Sequence, residues 1–380
     1  MDPGNTDPGN PAAPGKVNSG KAAPGKVDPG NPAAPGKVDP GKADPGKADP
    51  GKAAPGNPAP GNLVVFEPRR HRRRVLNGEF AFAEKVLLFI FSANIHCRVP
   101  EQDSVSARRH VDMEEIMQGF GIVFLTALIF CACGFYMYIY FFSLGYGFSI
   151  AAIGAVLLFM FRGTVSAGTA AQCLLFIIYG LRLGGYLLIR DLRSSSYRKV
   201  LDPELKRSRA MGIVPKLSIW ISCALLYTLQ TSPVLFRLQN GDGTNPALTA
   251  GAVIMFLGVV IETLADYQKS QAKKIRPYRF VDTGLYRIVR CPNYFGEILL
   301  WTGVLISGIG SLHGIVQWAC AVAGFLLIIY VMFSGARRLE LRQDKSYGKD
   351  PEYQKYIATV PIILPFIPLY SVKKYKFLVA

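Results

Sequence analysis

IMQGFGIVFLTALIFCACGFYMYIYFFSLGYGFSIAAIGAVLLFMF, residues 116–161, is apolar for far longer than the roughly 20 residues that cross a bilayer core. One helix cannot hold it, and the Gly145-Tyr146-Gly147 step predicts a tight turn between two spans. Further apolar runs follow at about 165–189, 213–235, 248–267, 298–309 and 315–333. The pattern predicts an all-α fold, a polytopic transmembrane helix bundle of about seven spans, occupying residues 116–380.

Upstream the character changes. Residues 1–62 cycle through Asp-Pro-Gly-Lys-Ala and Ala-Pro-Gly-Asn variants, and residues 9–17 recur letter for letter as 30–38. Such a segment has nothing to bury that would offset the entropy of ordering it, so a disordered Pro/Gly-rich tail is expected. Residues 63–115 form a basic linker holding Arg69-Arg-His-Arg-Arg-Arg74, then an apolar stretch at 80–95 that reads as an interfacial helix, a short span or a targeting sequence. The tail dilutes the mean hydropathy of the whole chain to +0.23.

The 380-residue chain carries a formal net charge of +17. Its Lys and Arg residues gather in the short loops 190–209, 269–290 and 337–349, which the positive-inside rule places in the cytosol. No basic face with interleaved aromatics stands outside the spans, so nucleic-acid binding is not expected. The 7 cysteines are scattered, mostly in apolar runs, with no Cys-x-x-Cys pair, and the 4 histidines show no metal-ligand spacing. No metal site is expected.

Chemistry is expected where polar groups enter the apolar helices. In the stretch 282–301, DTGLYRIVRCPNYFGEILLW, Asn293 and Glu297 are four residues apart and share a helical face, and Pro292 suits the first helical turn. Glu262, Asp266, Lys269 and Lys273 fall at intervals of four, three and four, so one face of the preceding helix carries two acids and then two bases. Ionisable groups at membrane depth are costly and usually face a cavity, although a snorkelling helix end gives the same stripe. Arg182, Tyr186 and Arg190 make another stripe, in which Arg182 needs an acidic partner or a ligand phosphate. Arg337 and Arg338 add to a basic, aromatic rim suited to a phosphate-bearing cofactor or to anionic lipid heads.

The residues from about 258 to 368 resemble the C-terminal region of the steroid 5-alpha-reductase family, in particular its little-characterised bacterial, plant and protist branch. The resemblance rests on Ala265-Asp266-Tyr267-Gln268-Lys269, Asp282-Thr-Gly-Leu-Tyr286, Arg290-x-Pro-Asn-Tyr-Phe-Gly-Glu297-Ile-Leu-Leu-Trp301, Ser334-Gly335, Tyr347-Gly348 and Pro351-Glu-Tyr-Gln-Lys-Tyr356. The Arg182–Arg190 stripe fits the same branch. The resemblance implies a helical membrane protein that takes NADPH from the cytosolic side and reduces a carbon-carbon double bond of a sterol-like or other lipid entering from the bilayer. It implies that Asn293 and Glu297 hold the nicotinamide, that Asp266 contacts the cofactor and that Lys273 binds phosphate. Glu262, Arg290, Arg337 and Arg338 are further cofactor candidates, Arg182 and Tyr186 candidates for the substrate, and Tyr294 beside Glu297 the candidate for polarising or protonating it. Two positions depart from the pattern: Cys291 stands where the branch commonly has His, and Glu262 where the steroid enzymes have an amide.

Two other functions fit parts of this pattern. Membrane methyltransferases of the isoprenylcysteine carboxyl type bind S-adenosylmethionine through a related Arg-His-Pro-x-Tyr motif, and a non-catalytic lipid-binding protein would keep the fold alone. A reductase of this kind sits in the endoplasmic reticulum membrane of a nucleated cell or the inner membrane of a bacterium.

Overall fold

The computed structural model describes residues 113–193, 195–241 and 243–379, with the backbone alone over 195–200. The expected tail, the arginine cluster and the 80–95 segment lie outside the described residues. Among those described there are nine α-helices and no strand: Met113–Cys131 (α1), Leu144–Met160 (α2), Ala167–Arg193 (α3), Ser195–Ala210 (α4), Ile213–Asn240 (α5), Pro246–Ile275 (α6), Pro292–Ser307 (α7), Gly314–Tyr347 (α8) and Pro351–Thr359 (α9). Six segments, built on α1, α2, α3, α5, α6 and α8, are long and apolar enough to cross a membrane. The seventh expected span is α7, whose 16 residues rise only about 24 Å at 1.5 Å each. It is the short helix of the bundle and packs chiefly on α6. The protein is an integral, multi-pass membrane protein.

Local chemistry explains the helix starts. The Asn245 side chain accepts from Leu248 N at 2.8 Å, and Asp350 accepts from Glu352 N at 2.9 Å, each followed by a proline in the first turn. These caps satisfy backbone donors that have no partner within the helix.

One predicted boundary is corrected. The break in the long apolar run was expected at Gly145–Gly147, but it falls between α1 and α2 at two short 3-10 turns, Ala132–Phe135 and Tyr138–Phe142. Gly145 and Gly147 lie inside α2. A Cβ on Gly147 would stand 2.7 Å from Gly184 N and 2.9 Å from Gly180 O, so this glycine brings two helices into backbone contact instead of turning the chain.

Small residues set the α6–α7 pair in the same way. A Cβ on Gly258 would stand 2.6 Å from Gly296 O, and one on Gly251 2.4 Å from Gly303 O, two contacts seven residues apart along one seam. Helices in hydrocarbon gain little from burying apolar surface against each other, so close backbone approach supplies the dispersion that holds them.

Most of the basic residues sit at one end of the bundle, where α3, α6 and α8 finish and α7 begins, while Arg237 bonds Ser307 O and Asn245 at the other. At the opposite end Gln239 donates to Glu115 O at 2.6 Å, and Asn240 bonds Ser311 O and Gln317. Met113 therefore starts α1 at the end away from the basic loops.

Candidate active site

The start of α7 is fixed from outside. Arg290 N donates to Pro361 O and Cys291 N to Ile362 O, both at 2.9 Å, so the loop before the helix is stitched to the segment that follows α9. Pro292 then opens the helix, and Asn293 and Glu297 lie one turn apart along it. Burial pushes the Cys291 thiol up to about 12, which leaves it neutral.

Glu297 is buried in the centre of the bundle. Its Oε2 accepts from the Tyr179 hydroxyl at 2.5 Å, and its Oε1 accepts from the Tyr146 hydroxyl and from Trp301 Nε1 at 3.0 Å. The indole also reaches the Tyr146 oxygen at 2.9 Å. Three side chains, one each from α2, α3 and α7, thus close around one carboxylate, and Phe176 tilts against Trp301 at 5.8 Å between ring centroids.

Beside this group lies an ion-pair cluster. Arg182, one turn beyond Tyr179 on α3, pairs with Glu262 and, at 3.1 Å, with Asp266, both on α6. Its guanidinium carbon stands 5.8 Å from the Tyr179 ring centroid. Gly296 makes room for this: a side chain there would meet Glu262 N at 2.8 Å. Arg182 thus has the acidic partner that its depth requires, and Glu262 Oε2 keeps one buried position with no hydrogen bond among the described residues.

Toward the basic end a cavity of about 220 Å³ opens between α6, α7 and α8 and the loop at 280–290. Lys269, Lys273, Arg290, Arg342, Asn293 and Tyr347 are among its lining. Lys273 Nζ is committed to Arg279 O at 2.5 Å, Pro277 O at 3.1 Å and the Tyr347 hydroxyl at 3.0 Å. The buried Arg290 donates to Glu340 at 3.0 Å and to Tyr370 O, but its Nε finds no hydrogen-bond partner among the described residues. The side chains of Lys269 and Arg342 make no hydrogen bond and no ion pair among the described residues. An unoccupied buried guanidinium N–H and two uncommitted cations around one hollow form an anion-binding arrangement. Over it, Phe280 stacks on Tyr356 at 5.2 Å, and Tyr356 donates to Tyr286 O at 2.7 Å. Burial raises both phenols above their ordinary range, which keeps them protonated.

The structure thus brings Asn293, Lys273 and Arg290 to the cavity, sets Glu297 one turn deeper, and joins Glu262 and Asp266 through Arg182. It does not bring the others there. Tyr294 faces α8, where a Cβ on Gly335 would lie 3.3 Å from its hydroxyl. Arg337 donates to Lys373 O at 3.2 Å and Leu378 O at 3.0 Å, Arg338 is exposed, and Tyr186 lies under Arg190 at 5.3 Å. Sequence reasoning missed Tyr146, Tyr179 and Arg342 as site residues, and it read Lys269 only as a member of the charged stripe on α6. Tyr179 stands three residues before Arg182 on its stripe, and Tyr146 was read as part of a turn.

Residues 144–360 match the model of a family described as protein of unknown function (DUF1295). The chain belongs to this family. The match takes in Glu297 with its tyrosines, the Arg182 ion-pair cluster and the side chains lining the cavity, but not the carbonyls of Pro361, Ile362 and Tyr370 that hold Arg290 and Cys291. This DUF1295 protein is also 24% identical over 186 residues to the 3-oxo-5-alpha-steroid 4-dehydrogenase 1 of Bos taurus, an alignment covering 48% of this chain and 67% of that protein. Together the two matches make the chain steroid 5-alpha-reductase-like. No solved structure matches it.

Proposed function

We propose that this protein is a membrane reductase that uses NADPH, bound from the cytosolic side, to saturate a carbon-carbon double bond of a sterol-like or other lipid. The observation that carries the proposal is the layering of the site: a cation-lined hollow at the basic end, then Asn293, then a buried carboxylate holding two tyrosine hydroxyls. The relative's name describes a steroid oxidoreductase, which is the same class of chemistry on a lipid.

The cavity fits the phosphate-bearing part of such a cofactor. Lys269, Arg342 and the Arg290 Nε are the groups without other commitments, and together they suit a polyanion. At about 220 Å³ the hollow takes a portion of a dinucleotide and not the whole. Asn293 and Glu297 would hold the nicotinamide end. The bound cofactor would supply the hydride.

The remaining requirements fall to this chain's own residues. Saturating a polarised double bond also takes one proton and a group that draws charge toward the substrate oxygen. Tyr146 and Tyr179 carry the only hydroxyls bonded to Glu297 among the described residues, and the carboxylate fixes their orientation. Trp301 and Phe176 wall the group and exclude water, which strengthens its electrostatics. The lipid would enter from the bilayer.

Purified full-length protein titrated with NADPH should change the nicotinamide fluorescence, and Lys269→Ala or Arg342→Ala should each weaken binding about tenfold, the value of one charge-assisted bond of roughly 1.4 kcal/mol. A response to S-adenosylmethionine with none to NADPH would replace the reductase by a methyltransferase. Binding of lipid alone would leave a scaffold.

A further inference from the structure

Residues 361–379 lie beyond the family match and fold back along α8. Their path can be followed by the side chains that hold it. Val372 N donates to Glu340, Arg337 takes Lys373 O and Leu378 O, and the Tyr330 hydroxyl takes Phe377 O at 2.9 Å. From Glu340 to Tyr330 the strap descends ten helical residues, about 15 Å, from the charged end of α8 into its apolar part. Irregular backbone at that depth persists only where protein groups satisfy it, which Arg337 and Tyr330 do.

The outer side of the strap has a distinct composition. Phe377 and Val379 are 69% and 70% exposed, next to Tyr330 on the lipid-facing surface of α8, itself 37% exposed. Phe366 is 98% exposed, and its φ of 66° is a backbone conformation that an aromatic residue rarely adopts. Lys373 is paired with Asp344 at 2.6 Å, whereas Lys374 and Lys376 are exposed between the two levels. Aromatic side chains beneath lysines are the arrangement that suits the boundary between acyl chains and phosphate headgroups.

The geometry points to this strap as a docking element for acidic phospholipids, with Phe377 and Val379 in the acyl boundary and Lys374 and Lys376 on lipid phosphates. Continuity with the lipid-facing belt of α8 and the positive charge of the segment select the lipid over a second copy of this basic chain. Because Tyr370 O holds Arg290 in the cavity wall, docking also steadies one cation of the candidate site. The inference stands independently of the reductase reading, since its test involves no turnover.

Hydrogen-deuterium exchange of the full-length protein in nanodiscs tests it. Adding phosphatidylglycerol to phosphatidylcholine should slow exchange at residues 373–379 about 25-fold, since each of the two lysines near an anionic surface is worth roughly a factor of five. Lys374→Gln with Lys376→Gln should abolish the difference while the protein melts in detergent at the parent temperature. Phe377→Ser, with both lysines intact, should raise exchange in both lipids. Equal exchange in the two lipids, a lipid effect that survives the double substitution, or equal protection by inorganic phosphate in detergent would each overturn the proposal.

Discussion

Replacing Gly258 by alanine tests whether the α6–α7 seam sets the geometry of the site. The new methyl would meet Gly296 O and Leu300 N, each at 2.6 Å, and both are backbone atoms that cannot rotate away. Ordinary contact begins near 3.4 Å, so the two helices must part by about 0.8 Å. Overpacking of this kind costs about 1–3 kcal/mol, and the gain in helix propensity returns at most about 1 kcal/mol. Steric strain wins, and the expected loss is about 1–2 kcal/mol, read as a lower melting temperature in detergent. The helices cannot part freely, because the start of α7 is stitched to residues 361 and 362. The shift therefore falls on Glu297 and its tyrosines, and a displacement approaching 1 Å should lower turnover up to about a hundredfold. Gly185→Ala is the control, since a Cβ there meets nothing within 4 Å and should leave stability unchanged or slightly raised. If Gly258→Ala melted at or above the parent temperature with full activity, close backbone approach would not be what positions this site.

Two further outcomes are expected. Arg182→Met leaves Glu262 and Asp266 one turn apart with no cation between them, so it should cost about 3 kcal/mol, and adding Glu262→Gln should restore much of that; a single variant as stable as the parent would show that the pair is not structural. The Cys291 thiol, pushed up to about 12 by burial against about 8.5 for a free thiol, should resist maleimide at neutral pH in the folded protein. Its linkage has a defined sign: the unfolded thiol ionises first, so stability should fall as the pH rises from about 8.5 to 12, and Cys291→Ala should flatten that fall.

Apolar run length located the helices because a bilayer imposes a length on them, and that constraint acts residue by residue along the chain. The turn at Gly145–Gly147 was misplaced because glycine serves two purposes: turning the chain and letting helices touch. Only the partner glycines of α3 distinguish these, and they lie more than thirty residues away. Asn293 and Glu297 were legible through their spacing of four on one helix. Tyr146 and Tyr179 were not, because they reach Glu297 across 151 and 118 residues, and no periodicity within one helix reports on that. Arg337 reads in sequence as one more cation on a basic rim; its task of holding strap carbonyls depends on backbone that folds back onto α8.

Formal charges give the layering a direction. The deeper group holds Glu297, Glu262 and Asp266 against the single Arg182, whereas the cavity nearer the basic end holds Lys269, Lys273, Arg290 and Arg342 against the single Glu340. A ligand with anionic and uncharged ends is oriented by that separation before any contact specific to it forms, since reversing it would set phosphates against carboxylates in a medium that screens poorly. S-adenosylmethionine has no phosphate for Lys269, Arg342 and the Arg290 Nε, and a lipid substrate has no need of them. A phosphate-rich dinucleotide would use both layers, which is why the arrangement of charge, and not the Asn293–Glu297 spacing alone, supports the proposed reductase.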